Sequence, residues 1–136
     1  MNLIEKIGIY FICLIFLYLS WINPVNAAVL SNEKVTISIG NEQSWTGRNG
    51  TGNLSYYGCD RNCQCVYLSG GTITCRNGVC ITAWQNKNVS YTLSSPITKD
   101  RSKNDTLSTL IISSGDRTIA NEKLHPKAFD NAKPRT

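Results

Sequence analysis

Histidine, the side chain best suited to proton transfer near neutral pH, occurs once in the 136 residues, at His125. Mechanisms that need two histidines are therefore excluded. A Ser–His–Asp arrangement would have to use His125, which precedes Pro126 near the end of the sequence, and no Gly-x-Ser-x-Gly motif is present. No Cys-x₂-Cys pair of a zinc site occurs either. We therefore expect no enzyme activity, no catalytic residue, no metal site and no cofactor.

Helical periodicity is also missing: beyond residue 27, no stretch of helix length has apolar residues spaced three and four apart. Short segments rich in Val, Ile, Thr and Tyr alternate instead with Gly, Asn, Asp and Ser, as in strands joined by turns. The predicted strands are 35–39, 54–59, 65–68, 72–75, 79–84, 89–93, 107–113 and 117–124. Seven or eight short strands joined mostly by tight turns predict an all-β fold, a small antiparallel up-and-down barrel or sandwich.

The connections are predicted from their polar and glycine residues. Gly70-Gly71 and Asn77-Gly78 are each interpreted as a turn between two strands. Residues 40–53 are predicted to form a long polar loop around Trp45, and residues 94–105 a second polar loop. A chain of this size has to cover its sheet edges, which favours a closed or sandwiched arrangement over a flat sheet.

Long apolar runs are limited to residues 7–22. Lys6 precedes this run, Pro24 interrupts the sequence behind it, and small residues follow, which is the pattern of a secretory signal peptide. The run is shorter than the roughly 20 residues of a membrane-spanning helix. We expect a helical signal peptide at 1–27, cut between Ala27 and Ala28, contact with a membrane only before that cut, and a secreted or periplasmic protein.

The rest of the sequence is predicted to form one β domain at 28–124 and a disordered tail at 125–136, which has two prolines and few apolar residues. The formal net charge is +5. The basic residues are mostly scattered singly, without the basic stripe interleaved with aromatic residues that single-stranded nucleic acids require. We therefore expect no nucleic-acid partner.

The cysteines support the sharpest structural prediction. The segment Cys75-Arg-Asn-Gly-Val-Cys80 contains Asn-Gly, the strongest signal for a two-residue hairpin turn. With Asn77-Gly78 at the tip, Cys75 and Cys80 lie directly opposite each other at a non-hydrogen-bonded pair, where the Cα atoms are about 4.5 Å apart. This separation is within the range of a disulfide. A Cys75–Cys80 bridge is predicted.

The other three cysteines beyond the signal segment, Cys59, Cys63 and Cys65, belong to one predicted hairpin. Either Cys59–Cys65 or Cys59–Cys63 can close its turn. We prefer Cys59–Cys65, because its longer loop is less strained. Cys63 is then an odd thiol that is buried and inert, pairs with another chain, or is reactive or binds a metal; the protein is a monomer, or a dimer through Cys63.

Aromatic residues are numerous in the predicted β domain, and four of them are candidates for a binding surface: Trp45, Tyr57, Tyr67 and Trp84. Alternation along a strand places Tyr56 and Tyr57 on opposite faces, and it places Trp84 on the same face as Cys80. The tetrapeptides 53–56 (Asn-Leu-Ser-Tyr) and 88–91 (Asn-Val-Ser-Tyr) resemble each other, and both chance and internal duplication explain this.

Asn-x-Ser/Thr sequons are glycosylation acceptors in a eukaryotic host, and they occur at Asn49, Asn53, Asn88 and Asn104. They are candidate modification sites only in such a host, and a bacterial envelope protein is equally compatible with the sequence.

Three functions are consistent with these features. The first is an exported, non-enzymatic binding protein that acts at or outside the cell envelope on an unknown protein or glycan. The second is a secreted inhibitor or effector-like toxin against a foreign hydrolase or receptor, and the third is a structural envelope component cross-linked through Cys63. The layout, a signal segment followed by a meander barrel with local disulfides, resembles small periplasmic lysozyme inhibitors in architecture alone.

Overall fold

The computed structural model describes residues 2–4, 28–97 and 106–127. The predicted signal peptide, apart from residues 2–4, lies outside the described residues. So do the sequon at Asn104 and the part of the predicted tail from residue 128 onward.

The described residues form eight strands in a closed antiparallel barrel. The strands are β1 (Ala28–Ser31), β2 (Val35–Gly40), β3 (Thr51–Asp60), β4 (Cys65–Arg76), β5 (Val79–Asn86), β6 (Val89–Pro96), β7 (Ser108–Ser114) and β8 (Arg117–Pro126), with a 3-10 helix at Glu42–Ser44 between β2 and β3. Each strand pairs with the next along the chain, and β1 pairs with β8 to close the barrel. The predicted all-β, up-and-down antiparallel fold is confirmed, as a barrel and not a sandwich.

Alternation along the strands fills the barrel interior. In β2, Ile37 and Ile39 are almost fully buried, and Ser38 between them points outward. The buried apolar side chains form one cluster: Leu30, Ile37, Ile39, Leu54, Tyr56, Leu68, Trp84, Tyr91, Leu93, Leu110 and Leu124. An eight-stranded barrel is just wide enough for such side chains to fill it or to hold one small ligand. Burial of each large apolar side chain contributes on the order of 2 kcal/mol to stability.

The two ends of the barrel differ. The end that we call the turn end contains the connections at 32–34, 61–64, 87–88 and 115–116. The opposite end contains the loop at 41–50, the turn at 77–78, the end of β6, the start of β7 and residues 28 and 127. The up-and-down order fixes this distribution, because consecutive connections alternate between the ends.

The hairpin at Cys75–Cys80 has the predicted geometry. Both turn residues have positive φ, 51° at Asn77 and 77° at Gly78, as a type I′ turn requires. Cys75 lies opposite Cys80, with a Cα–Cα distance of 4.0 Å, and the two are joined by a disulfide. The predicted bridge is confirmed.

The predicted turn at Gly70-Gly71 is wrong, because β4 continues through both glycines. The pairing of β3 with β4 shifts register here, between the pairs of Leu54 and Tyr56. Gly70 has a φ of 76°, which a β-bulge accommodates. Gly71 faces the interior, where a Cβ atom would clash with the Trp84 indole. The two glycines therefore bend one long strand and make room for a core side chain.

The barrel also includes residues that the sequence patterns assigned elsewhere. β1 was not among the predicted strands, and β3 begins at Thr51, inside the predicted polar loop. His125 and Pro126, assigned to the tail, continue β8 and pair with Ser31 and Leu30. These pairings close the barrel, so the domain extends two residues beyond the predicted boundary at 124.

Candidate functional site

The turn between β3 and β4 is fixed by one carboxylate and one disulfide. The Asp60 carboxylate accepts hydrogen bonds from the backbone N–H groups of Asn62 and Gln64, at 2.9 and 3.0 Å. Cys59 and Cys65 face each other across the two strands, with a Cα–Cα distance of 4.1 Å, and form a disulfide. The preferred pairing of Cys59 with Cys65 is therefore confirmed.

Cys63 is the free cysteine among the residues that the structure describes. It is exposed in the β3–β4 turn, with a φ of 59°. The reading of this odd thiol as a buried, inert side chain is therefore wrong, since the turn projects it into solvent.

Two of the four candidate aromatic residues come together on the outer face of the barrel. Tyr57 in β3 lies directly opposite Tyr67 in β4. Their side chains are 50% and 67% exposed, whereas the preceding Tyr56 is 2% exposed. The predicted opposite orientation of Tyr56 and Tyr57 is confirmed. We call Tyr57 and Tyr67 the outer tyrosine pair.

Small hydroxyl side chains border the outer tyrosine pair on the β2 side and away from the β3–β4 turn, and the Cys59–Cys65 disulfide borders it toward that turn. Ser38 lies opposite Tyr57 on the β2 side. Ser55 and Ser69 are two residues away along β3 and β4, and therefore share the same face. No acidic or basic side chain occupies these positions. This face therefore combines flat aromatic rings with neutral hydroxyl groups.

The prediction of Trp84 as a binding residue is wrong, because its side chain is 2% exposed. Its indole N–H donates a hydrogen bond to the backbone carbonyl of Leu54 at 3.0 Å, and its ring packs against Tyr56 with a centroid distance of 5.3 Å. The predicted shared face of Trp84 and Cys80 is the interior of the barrel. Trp84 is therefore a core residue with its one polar group satisfied.

Trp45 is separate from the outer tyrosine pair. It lies in the loop between β2 and β3, at the opposite end from the β3–β4 turn, and is half-buried. Its indole N–H donates to the backbone carbonyl of Arg48 at 3.1 Å, which stabilises the loop.

The three sequon asparagines in the described ranges are all exposed. The side-chain oxygen of Asn49 accepts a hydrogen bond from the Cys75 backbone N–H at 2.9 Å, which joins the β2–β3 loop to β4. Asn53 lies in β3, and the Asn88 side chain donates to the Ser114 hydroxyl at 3.2 Å. Their exposure leaves all three accessible to a modifying enzyme.

Comparison with known proteins finds no matching family model, curated protein or solved structure.

The two disulfides are consistent with an extracellular or otherwise oxidising compartment, because short disulfides of this kind persist there. Within the described ranges, no helix has the length and apolar character needed to cross a membrane. The same ranges hold no group of three or more His, Cys, Asp or Glu side chains that could bind a metal ion.

One feature of the barrel interior was not predicted from the sequence. Tyr56 and Tyr91, whose ring centroids are 5.3 Å apart, line a cavity near the turn end. The resemblance between residues 53–56 and 88–91 was a signal for it, since each tetrapeptide ends in one of these tyrosines. This resemblance could not identify the cavity, because the contact between side chains of β3 and β6 across the barrel cannot be predicted from the sequence.

Proposed function

We propose that the protein is exported and acts at or outside the cell envelope as a non-enzymatic binding protein, with the outer tyrosine pair as its contact site for a glycan. The observation that supports this proposal is the placement of Tyr57 and Tyr67 directly opposite each other, both at least half exposed. The signal-like segment at 7–22 and the two disulfides support export.

A glycan fits this face for two chemical reasons. The apolar rings of Tyr57 and Tyr67 offer flat surfaces for the C–H face of a sugar ring, while their hydroxyl groups remain available for hydrogen bonds. The hydroxyls of Ser38, Ser55 and Ser69 extend that polar surround without introducing charge. A partner that is mainly apolar would leave these hydroxyl groups without hydrogen bonds, which is unfavourable.

Retention on immobilised polysaccharides tests the proposal. The protein is passed over columns of peptidoglycan, chitin and β-glucan, together with the double variant Tyr57→Ser/Tyr67→Ser. The matched control is Ile81→Ser/Ile119→Ser, since these two side chains are 42% and 52% exposed elsewhere on the barrel. We expect at least one polysaccharide to retain the wild type and the isoleucine variant but not the tyrosine variant.

Two results would contradict this assignment. Equal elution of all three proteins on every column would remove the glycan role. Capture of a single hydrolase or receptor by the wild type, lost in the tyrosine variant, would favour a secreted inhibitor instead.

The exposed Cys63 favours one further candidate function, a structural component cross-linked between chains. A disulfide between two Cys63 thiols would join the β3–β4 turns of two molecules. The native exported protein on a non-reducing gel is then a dimer that disappears on reduction and in Cys63→Ser. A monomer band alone would eliminate this function.

A further inference from the structure

A cavity of about 220 Å³ lies near the turn end of the barrel, on the interior side of the β3–β4 turn. The apolar part of the cavity wall consists of Val35, Val66 and Ile112. The side chains of Tyr56 and Tyr91 line the same cavity. Below it, Trp84 and the other core side chains fill the barrel. The interior is therefore packed over part of its length and open at this end.

Two buried phenol groups line this cavity. Tyr56 and Tyr91 are 2% and 8% exposed, and neither hydroxyl makes a hydrogen bond with any of the described residues. A Cβ atom on Gly58 would lie 2.5 Å from the Tyr56 hydroxyl oxygen, which places that oxygen beside Gly58 in the cavity wall. No fully buried side-chain oxygen or nitrogen atom of the described residues lacks a hydrogen-bond partner, so both hydroxyl oxygens reach the open space of the cavity, where a ligand can accept their hydrogen bonds.

The cavity wall has little charge. Among the described residues that line it, the one carboxylate is that of Asp60, which already accepts two backbone hydrogen bonds in the β3–β4 turn. None of the described residues that line the cavity is basic. Burial, and secondarily the neighbouring Tyr91, raise the pKa of the Tyr56 phenol to about 12, so its hydroxyl remains a hydrogen-bond donor at neutral pH.

The barrel wall offers a way in on one side. Residues 65–71 of β4 pair with β3, whereas the described pairing of β4 with β5 begins only at Thr72. The wall between β4 and β5 is therefore not closed by hydrogen bonds at the turn end. Val66 lies on this part of β4, which pairs with β3 but not with β5; it lines the cavity and is 37% exposed.

We propose that this cavity binds a small neutral molecule with a single ring that accepts a hydrogen bond from Tyr56 or Tyr91. A cavity of about 150 Å³ in another protein holds benzene, so this space accommodates one ring with a short polar substituent. The apolar wall binds the ring and the two hydroxyl groups orient the substituent. This site is separate from the outer tyrosine pair and does not depend on glycan binding.

Acetophenone is a suitable probe, because it combines one ring with a carbonyl group that only accepts hydrogen bonds. Benzoate, similar in size but anionic, is its counterpart. Binding to the folded protein is measured by ligand-observed NMR and by titration of protein resonances. We expect acetophenone to bind in the millimolar range or tighter and benzoate to bind at least about tenfold more weakly.

Variants locate the bound probe. Ile112→Phe fills the cavity and is expected to abolish binding, and Val66→Phe tests the same point at an exposed wall position should the first variant fail to fold. The double variant Tyr56→Phe/Tyr91→Phe keeps both rings and removes both hydroxyl groups. It is expected to weaken acetophenone binding about five- to tenfold, because acetophenone then loses one hydrogen bond. Tyr57→Phe, on the outer face, is expected to leave the affinity for acetophenone unchanged.

Three results would overturn the proposal. They are the absence of acetophenone binding to the wild type at millimolar concentration, unchanged affinity in both cavity-filling variants, and loss of binding in Tyr57→Phe. The last of these would place the probe on the outer face. The glycan columns are a separate measurement, so failure of one proposal leaves the other testable.

Discussion

Two adjacent tyrosines in β3 are in opposite environments. Tyr56 is buried beside Trp84 and Tyr91, and Tyr57 is half exposed beside Tyr67. Since successive side chains of a strand point to opposite faces, one residue of separation assigns the first tyrosine to the core and the second to the surface. The same residue type therefore contributes to stability at one position and is available for binding at the next.

Burial of Tyr56 predicts a loss of stability at alkaline pH. Its pKa is raised from 10.0 to about 12, so ionisation favours the unfolded state. The contribution of this group is fully present below pH 10 and is lost as the pH rises toward 12, to a total of about 2–3 kcal/mol. Urea unfolding at pH 8 and pH 11, in a Cys63→Ser background that prevents thiol–disulfide exchange, measures about half of this fall, because pH 11 lies midway between the two pKa values.

Comparison of Tyr56→Phe with Tyr57→Phe tests whether ionisation of Tyr56 causes the loss of stability at alkaline pH. Tyr56→Phe is expected to reduce the difference in free energy of unfolding between pH 8 and pH 11, because it removes the buried phenol. Tyr57→Phe is expected to leave the difference as in the parent protein. An identical difference in both variants would show that another group controls alkaline unfolding.

At the scale of elements, each disulfide joins directly opposed residues of a single hairpin. The Cys75–Cys80 bridge joins β4 to β5, and the Cys59–Cys65 bridge joins β3 to β4. Both pairs close short loops, so they constrain few residues of the unfolded chain and mainly fix the register of their hairpins.

Removing the first of these bridges with Cys75→Ser/Cys80→Ser is expected to lower the free energy of unfolding by about 2 kcal/mol, the value of the chain-entropy model for so short a loop. Urea unfolding of the oxidised wild type and variant measures this difference in the free energy of unfolding. Cys63→Ser is the control and is expected to be neutral, since Cys63 is exposed and unbridged. A loss much above this value would mean that the bridge also holds the barrel interior together.

The bend in β4 gives a second prediction at this scale. Gly71→Ala places a methyl group against the Trp84 indole and is expected to destabilise the protein by about 1–3 kcal/mol, as overpacking of a core does. Ser69→Ala, at an exposed position of the same strand, is expected to change stability by less than about 0.5 kcal/mol. Equal unfolding midpoints for the two variants would contradict the close packing of Trp84 over Gly71.

At the scale of the whole molecule, the barrel depends on its two terminal strands. β1 pairs with β2 over four residue pairs and with β8 over two, and the Lys127 backbone N–H donates to the Val29 carbonyl at 2.8 Å. Without β1, strands β2 and β8 would become open edges, which promote aggregation.

A chain that begins at Asn32 is therefore expected to lose cooperative unfolding and to aggregate, as measured by urea titration and size-exclusion chromatography. Its control ends at Lys127, which removes none of the described residues, and is expected to keep the unfolding midpoint of the parent chain. A soluble, cooperative protein without β1 would contradict the role of the β1–β8 pairing.

The features that could be predicted from the sequence are those set by neighbours along the chain. Alternation in β2 and β5, the Asn77-Gly78 turn and the opposition of Cys75 and Cys80 follow from side-chain period and turn chemistry. Which face of a strand points into the barrel could not be predicted in the same way. Trp84 was correctly placed on the face of Cys80, but alternation does not say which face is the interior.

The sequence by itself therefore determined the strand class, the tight hairpins and their disulfides, because these depend on residues a few positions apart. Only the tertiary structure decided the roles of Gly70-Gly71, of Trp84, and of the strand ends at 28–31 and 125–126. It also brought Tyr56 and Tyr91 to one cavity and Tyr57 and Tyr67 to one surface. Each of these outcomes depends on contacts between different strands, which exist only once the register and closure of the barrel are fixed.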